Sequence, residues 1–210
     1  VPGGPFLSEK AISPQATAAL EAKYGLDKPL WQQYLTYMAG ASHGDFGDSL
    51  KQRGRTVMDI ITMKFPVSAR VGGVSVLVAL LLGVPLGCIA ALKRGKFLDN
   101  LISVVSTCGI AVPSFVICTL LLYFFGVRLQ ILPTMGLTSW KHYVMPVMAL
   151  AFYPTAYIMR LMRSSMLDVL GQDYMRTAKA KGLAGGKILF KHALRNAILP
   201  VITYVGPLLA

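Results

Sequence analysis

Apolar and polar positions along this chain fall into long blocks of membrane dimensions. Residues 1–64 are mixed, with seven Lys or Arg against six Asp or Glu. Their punctuation predicts helices: Ser13 and Pro14 open one, Gly25 closes it, and Pro29 opens the next. The second of these would carry Leu30, Tyr34, Tyr37 and Met38 on one side. Gly44 and Gly47 mark a loop, and Thr56 to Phe65 has the pattern of an amphipathic approach to a membrane. Three apolar blocks follow, each long enough to cross a bilayer. Pro66 to Leu92 carries one charge, Arg70, near its start, and Leu101 to Val127 carries none. The third runs over about 143–163, apolar from Tyr143 to Met159 and bounded by Arg160 and Arg163. A fourth apolar run begins at Ala197 and reaches residue 210.

Between the third and fourth blocks lies DYMRTAKAKGLAGGKILFKHALRNAILP, residues 173–200, polar and basic. Asp173 to Lys181 predicts a short helix that Gly182 ends, because glycine takes the left-handed conformation at low cost; Gly185 and Gly186 then loosen the turn. A second helix is expected from Lys187, with Lys187, Lys191 and Arg195 on one face and Phe190, Leu194, Ala197 and Ile198 as the opposite apolar stripe. The expected form is helix, glycine hinge, helix, lying on a membrane surface.

Charge sets an orientation. The turn KRGKFLDN between the first two blocks is basic, the loop after Arg128 with Pro133, Gly136 and Trp140 is less so, and residues 160–196 hold eight Lys or Arg against two Asp. By the positive-inside rule the turn at 93–100 and the loop 164–196 face the cytoplasm, and residues 1–64 are external. Prolines inside the blocks, Pro85, Pro113, Pro146, Pro154, Pro200 and Pro207, each remove a backbone hydrogen bond and are expected to bend their helices. Gly72, Gly73, Gly83, Gly87 and Gly109 are expected to allow close helix packing.

Composition agrees with a membrane protein: 54% hydrophobic residues, 14% charged and a mean hydropathy of +0.57 lie well away from a soluble domain, where about a quarter of residues are charged. The net charge of +12 does not point to nucleic acid, because the basic residues collect at the ends of apolar blocks. Cys88, Cys108 and Cys118 lie inside apolar runs without metal-like spacing and are read as small buried hydrophobes. His43, His142 and His192 are scattered, and no catalytic or metal constellation emerges. Gly182, Gly186 and Lys187 mimic a phosphate loop, but only three residues separate the glycines and Ile188 replaces the required Ser or Thr. ATP binding by this chain is not expected.

The order RTAKAKGL, eight residues, then HALRNAILP resembles the cytoplasmic coupling loop of permease subunits of binding-protein-dependent ABC importers, in the version found in peptide permeases. The wider family has a Glu-Ala-Ala motif with a glycine four positions after the second alanine. Here Ala178 and Gly182 keep those places, while Arg176 stands where the glutamate would be and Arg195 where a later proline would be, departures typical of the peptide subgroup. PGGPF near the start, YGLDKPLWQQYL and GDFG are also similar to peptide permeases, and PGGPF leans toward oligopeptide over dipeptide or nickel transporters.

The resemblance implies an all-α polytopic membrane protein with the type I ABC importer permease fold. It implies an external helical segment over 1–64 and a transmembrane domain over 65–210, with spans at about 66–92, 101–127, 143–163 and 197–210. Since the family has a span before the external segment, the chain is expected to be a fragment lacking that first span and the C-terminal end. The implied partners are a homologous second permease, two ATPase subunits that hold ATP and Mg, an extracytoplasmic peptide-binding protein, the peptide and the lipid bilayer of a bacterial inner membrane. The implied coupling residues are Asp173, Arg176, Thr177, Ala178, Ala180, Lys181, Gly182, Leu183, His192, Leu194 and Arg195. A secondary transporter or channel would need ionisable residues within its spans, where only Arg70 qualifies. A membrane-embedded enzyme would need a catalytic cluster.

Overall fold

The computed structural model describes residues 14–49, 52 and 54–209, and divides the chain into two compact units, Val1–Ser68 and Ala69–Ala210. That division lies four residues beyond the expected boundary at 64/65. The start of the first helix at Ser13 and the PGGPF segment lie outside the described residues.

In the first unit α1 spans Pro14–Lys23 and α2 spans Leu30–Ser42. Gly25 separates them with φ +66°, and the Gln33 amide donates to the carbonyls of Leu26 and Lys28 at 3.2 and 2.7 Å, closing the turn. Gly44 and Gly47 also take positive φ, as the expected loop requires. A reciprocal cap opens α3: the Thr56 N–H donates to the Asp59 carboxylate, and the Asp59 N–H donates to the Thr56 hydroxyl, both at 3.1 Å. This satisfies two of the four unpaired donors at a helix start.

From this cap α3 runs unbroken over Val57–Leu92, so the expected amphipathic approach and the first span are one helix. Pro66 and Pro85 sit inside it, each removing only one bond from a long ladder. In the second unit α4 (Phe97–Ala111) and α5 (Ser114–Leu121), continued by a π-helical turn over Leu122–Arg128, make the second span. It is not one helix: its halves meet at 97°. Pro113 has no N–H to continue the ladder, and it pushes Val112 into extended backbone, φ −81° and ψ 122°.

The packed centre is α6, Lys141–Leu170. At 1.5 Å per residue its 30 residues reach about 45 Å, beyond a hydrocarbon layer of roughly 30 Å. The expected loop at 164–196 therefore begins as seven more residues of helix. Pro146 and Pro154 lie inside α6 without breaking it, because its buried face, Pro154 included, is held by neighbours on several sides. Gly83 and Gly87 of α3 and Gly109 of α4 lie where a Cβ would come within 2.7 Å of Ile158, 2.6 Å of the Met159 carbonyl and 2.7 Å of Ala156. Gly72 and Gly73, by contrast, face open space, so only three of the five glycines set a close approach. Ile158, Met162 and Met166 on α6 are fully buried. Cys108 and Cys118 are exposed and Cys88 is half-buried, which corrects their reading as core residues: apolar surroundings along the chain do not say which face of the helix a residue takes.

Among the described residues two helices, α3 and α6, are long and apolar enough to cross a membrane, and the bent α4–α5 pair is a third when its halves are taken as one span. After α6 come α7 (Asp173–Ala180), α8 (Gly185–Lys187), a π-helical turn over Ile188–Ala193, α9 (Leu194–Ala197) and α10 (Leu199–Leu209).

Candidate functional site

Helix α7 is built by its ends. Gln172 precedes it in extended conformation and Asp173 occupies the first turn, where a carboxylate meets the positive end of the helix dipole. At the other end Gly182 has φ +74°. Its N–H donates to the Lys179 carbonyl at 2.9 Å, and the Leu183 N–H donates to the Ala178 carbonyl at 3.3 Å, the paired closure that a left-handed glycine permits. Nothing lies within 4 Å of where a Gly182 Cβ would stand, so the glycine answers to backbone conformation alone.

Burial divides the expected coupling residues into two groups. Ala178, 7% exposed, joins the buried cluster of Met162, Met166, Ala193 and Ala197, together with Met175, 1% exposed, which the expected set did not include. Leu183 and Leu194 pack against the same cluster while partly buried, and His192 is half-buried. Asp173, Arg176, Thr177, Ala180, Lys181, Gly182 and Arg195 are exposed. The Arg176–Asp173 pair at 3.5 Å is almost wholly exposed and adds little to stability. One face of α7 thus belongs to this chain's core, and the other is presented outward.

The second limb departs from expectation. Ala184 caps a helix that starts at Gly185, two residues before Lys187, so Gly185 and Gly186 are helical and not a loose turn. The π-helical turn spaces the buried residues Ile188 and Ala193 by five, after which Ala197 and Val201 come by fours. The extra residue rotates the register. Lys187, Lys191 and Arg195 remain exposed as expected, but Phe190 is 68% exposed and leaves the apolar stripe to Ile188 and Ala193. The limb is joined to α10 through Ile198 alone, so it is the entry of the fourth apolar helix and not a separate surface helix. The Asn196 amide donates to the Tyr174 hydroxyl at 2.9 Å and ties α9 to α7.

Sequence reasoning missed an ion pair between α4 and α6. Asp99, in the turn segment 93–100, is 2% exposed. Arg163 donates to it through Nε and, at 2.9 Å, through Nη2. The Gly95 N–H donates at 2.9 Å, from a residue with φ +75°, and the Ser103 hydroxyl at 3.5 Å. The partners are 64 residues apart, and each alone reads as an ordinary charge at a span end. Since the Arg163 side chain is 31% exposed and that of Asp99 only 3%, the two truncations should differ. Arg163→Met strands a buried carboxylate and is expected to cost toward the upper part of about 3–5 kcal/mol; Asp99→Asn leaves an arginine that can hydrate, and should cost less. Thermal unfolding of the detergent-extracted protein measures both. Equal losses would mean that burial of Asp99 does not govern the pair.

In the first unit no residue of α2 is buried. Leu30, Trp31, Tyr34 and Tyr37 are exposed, and a cavity of about 570 Å³ opens beside Tyr24, Lys28, Tyr34, Tyr37 and Asp45.

Residues 83–210 match the family described as "Binding-protein-dependent transport system inner membrane component". The chain is 46% identical over 210 residues to the dipeptide transport system permease protein DppB of Bacillus subtilis, an alignment that takes in 100% of this chain and 68% of that protein. It is 42% identical over 208 residues to the oligopeptide transport system permease protein OppB of Salmonella typhimurium. To OppB of Haemophilus influenzae it is 44% identical over 208 residues. Both of these alignments take in 98% of this chain and 68% of the relative.

Proposed function

This chain belongs to the family of binding-protein-dependent transport system inner membrane components, as a non-catalytic permease of the peptide ABC importer type, and on that premise we propose that it forms half of a peptide pathway across a bacterial inner membrane. A homologous second permease supplies the other half. The 173–200 stretch couples the pathway to two ATPase subunits, which hold the ATP and Mg; this chain binds neither. ATP binding draws the ATPases together, moves α7, and shifts the spans from inward-facing to outward-facing; hydrolysis resets them.

The observation that carries the coupling reading is the division of α7. Met175 and Ala178 root it in the cluster that includes Ile158, Met162 and Met166 of α6, while Asp173, Arg176, Thr177, Ala180 and Lys181 face out on a helix with a fixed end. A force applied to the outer face reaches α6, the packed centre of the span bundle, through side chains already in contact. The exposed aromatic face of α2 supplies the docking surface for the extracytoplasmic binding protein, in keeping with the aromatic enrichment of interfaces.

Oligopeptides are the proposed cargo, on the PGGPF form of residues 2–6; the 46% identity to a dipeptide permease supports dipeptides as the second reading, ahead of nickel. Uptake measured with dipeptides through hexapeptides, in cells lacking other peptide uptake, decides between them. Import that rises from tripeptides upward is expected, and a profile confined to dipeptides moves the assignment to the second reading. Failure of ATPase subunits to co-purify with the permease would overturn the coupling role.

A further inference from the structure

Hydroxyl groups inside the spans differ in where their hydrogen bonds go. Those of Ser75, Ser106, Thr107, Thr119, Thr155 and Thr203 donate to carbonyls three or four residues back on their own helices, at 2.6–3.1 Å. Such a group can face acyl chains at little cost, because its hydrogen bond is already made. Tyr153, Tyr157 and Tyr204 are different. Their rings form one ladder from α6 to α10, with centroids 6.3 Å apart between Tyr153 and Tyr157 and 4.5 Å between Tyr157 and Tyr204. Among the described residues none of the three hydroxyls has a hydrogen-bond partner.

Their depth makes this costly in lipid. Tyr153 stands ten residues from each end of the 143–163 span, so about 15 Å from either surface of a hydrocarbon layer roughly 30 Å thick. A tyrosine in the interfacial belt places its hydroxyl among headgroups; from the midplane the Tyr153 ring cannot reach them. Tyr153 is 41% exposed, so its ring leaves the chain's own surface, and a polar partner must come from outside the chain.

A second observation points to the same place. Tyr153 borders a cavity of about 470 Å³ together with Ile110, Val112, Pro113, Ala149 and Pro154, and no charged residue lines it. Its wall is the 97° break of the second span. Pro113 lies near the middle of 101–127 and has no N–H, and among the described residues no backbone N–H reaches the carbonyls of Gly109, Ile110 and Ala111. Unpaired backbone at that depth persists where protein covers it or where it lines a wet cavity.

We propose that the Tyr153–Tyr157–Tyr204 face and the cavity at Pro113 form a midplane contact surface for the backbone of an extended peptide. The free carbonyls accept from peptide N–H groups, the tyrosine hydroxyls donate to peptide carbonyls, and the aromatic faces accommodate side chains of any kind. A surface without charge recognises what all peptides share. The inference rests on the reading of the chain as a peptide permease.

The test uses the full-length permease assembled with its second permease, ATPases and binding protein in proteoliposomes, with tri-alanine as the probe. Tyr153→Phe, Tyr157→Phe and Tyr204→Phe, combined in one variant, remove three hydroxyls and keep the rings. Tri-alanine import is expected to fall at least about tenfold, the equivalent of one hydrogen bond lost at the limiting step, with binding-protein-stimulated ATP hydrolysis within about twofold of the parent. Tyr153→Cys, in a chain with Cys88, Cys108 and Cys118 replaced by Ser, should react with a small water-soluble thiol reagent and be protected by tri-alanine-loaded binding protein. Unchanged import by the triple variant beside an active parent overturns the inference alone. So does a cysteine at 153 that reacts only from the lipid phase, or one that forms a disulfide with the second permease and is closed to water. A parent complex that imports no peptide overturns the underlying reading instead, and this inference with it.

Discussion

Gly87→Val is expected to remove the permease from the membrane fraction, while Gly72→Val on the same helix leaves its level unchanged. A Cβ at Gly87 would stand 2.6 Å from the Met159 carbonyl, 2.7 Å from the Met162 Cβ and 3.1 Å from the Arg163 N–H. Two of these three atoms are backbone, and the third is the root of a side chain, so no rotamer change makes room. Overpacking a core costs about 1–3 kcal/mol when neighbours can yield; here α3 and α6 must separate, and the cost should exceed that range. Separation would also disturb Arg163, the residue that reaches Asp99, and open the fully buried Met162 to solvent or lipid. Gly72 has nothing within 4 Å. Immunodetection of the subunit in membranes and its thermal aggregation in detergent measure the contrast. Similar loss in both variants would mean that loss of glycine from α3 is harmful in itself and that the close approach to α6 is not the cause.

Gly182→Val and Ala178→Asp are expected to abolish peptide uptake by different routes. At Gly182 there is space for a side chain, so the only cost is a β-branched residue at φ +74°, about 1–2 kcal/mol. The chain can relieve it by lengthening α7 by one residue, which turns every later side chain by about 100° and misplaces Leu183 and α8. The permease should insert and fold with near-normal stability yet hold its ATPases weakly, or hold them without coupling hydrolysis to transport. Ala178 is not on the outward face: it is buried in this chain's own cluster. Aspartate there is a buried carboxylate without a partner, and it should detach α7 from α6 and lower the stability of the permease itself. Membrane level, ATPase retained on purification and peptide uptake separate the two. Normal uptake by Gly182→Val at normal level would show that the ending of α7 plays no part in coupling. A wild-type melting profile for Ala178→Asp would contradict its burial.

Much of this protein is legible along the chain because the controlling physics is local. Apolar blocks of bilayer length, basic residues at their ends, a proline that must give up a hydrogen bond and a glycine that must end a short helix are each decided within a few residues. Gly25, Gly44, Gly47 and Gly182 all take the positive φ expected of their loops and helix ends. What local rules could not decide was which helix face meets which neighbour. Pro113 breaks its span while Pro146 and Pro154 leave α6 whole: all three lose a bond, and only tertiary packing determines whether the backbone yields. Gly83 and Gly87 touch α6 while Gly72 and Gly73 do not, and Cys108 and Cys118 turn outward from equally apolar surroundings. Ala178 and Arg176 stand two residues apart, one sealed in the core and one outside, and the π-helical turn moves Phe190 out of the stripe that regular spacing assigns it. Asp99 and Arg163 meet across 64 residues, and Tyr153, Tyr157 and Tyr204 converge from two helices. Those pairings depend on how helices pack, and packing energy is summed over surfaces that sequence neighbours do not share.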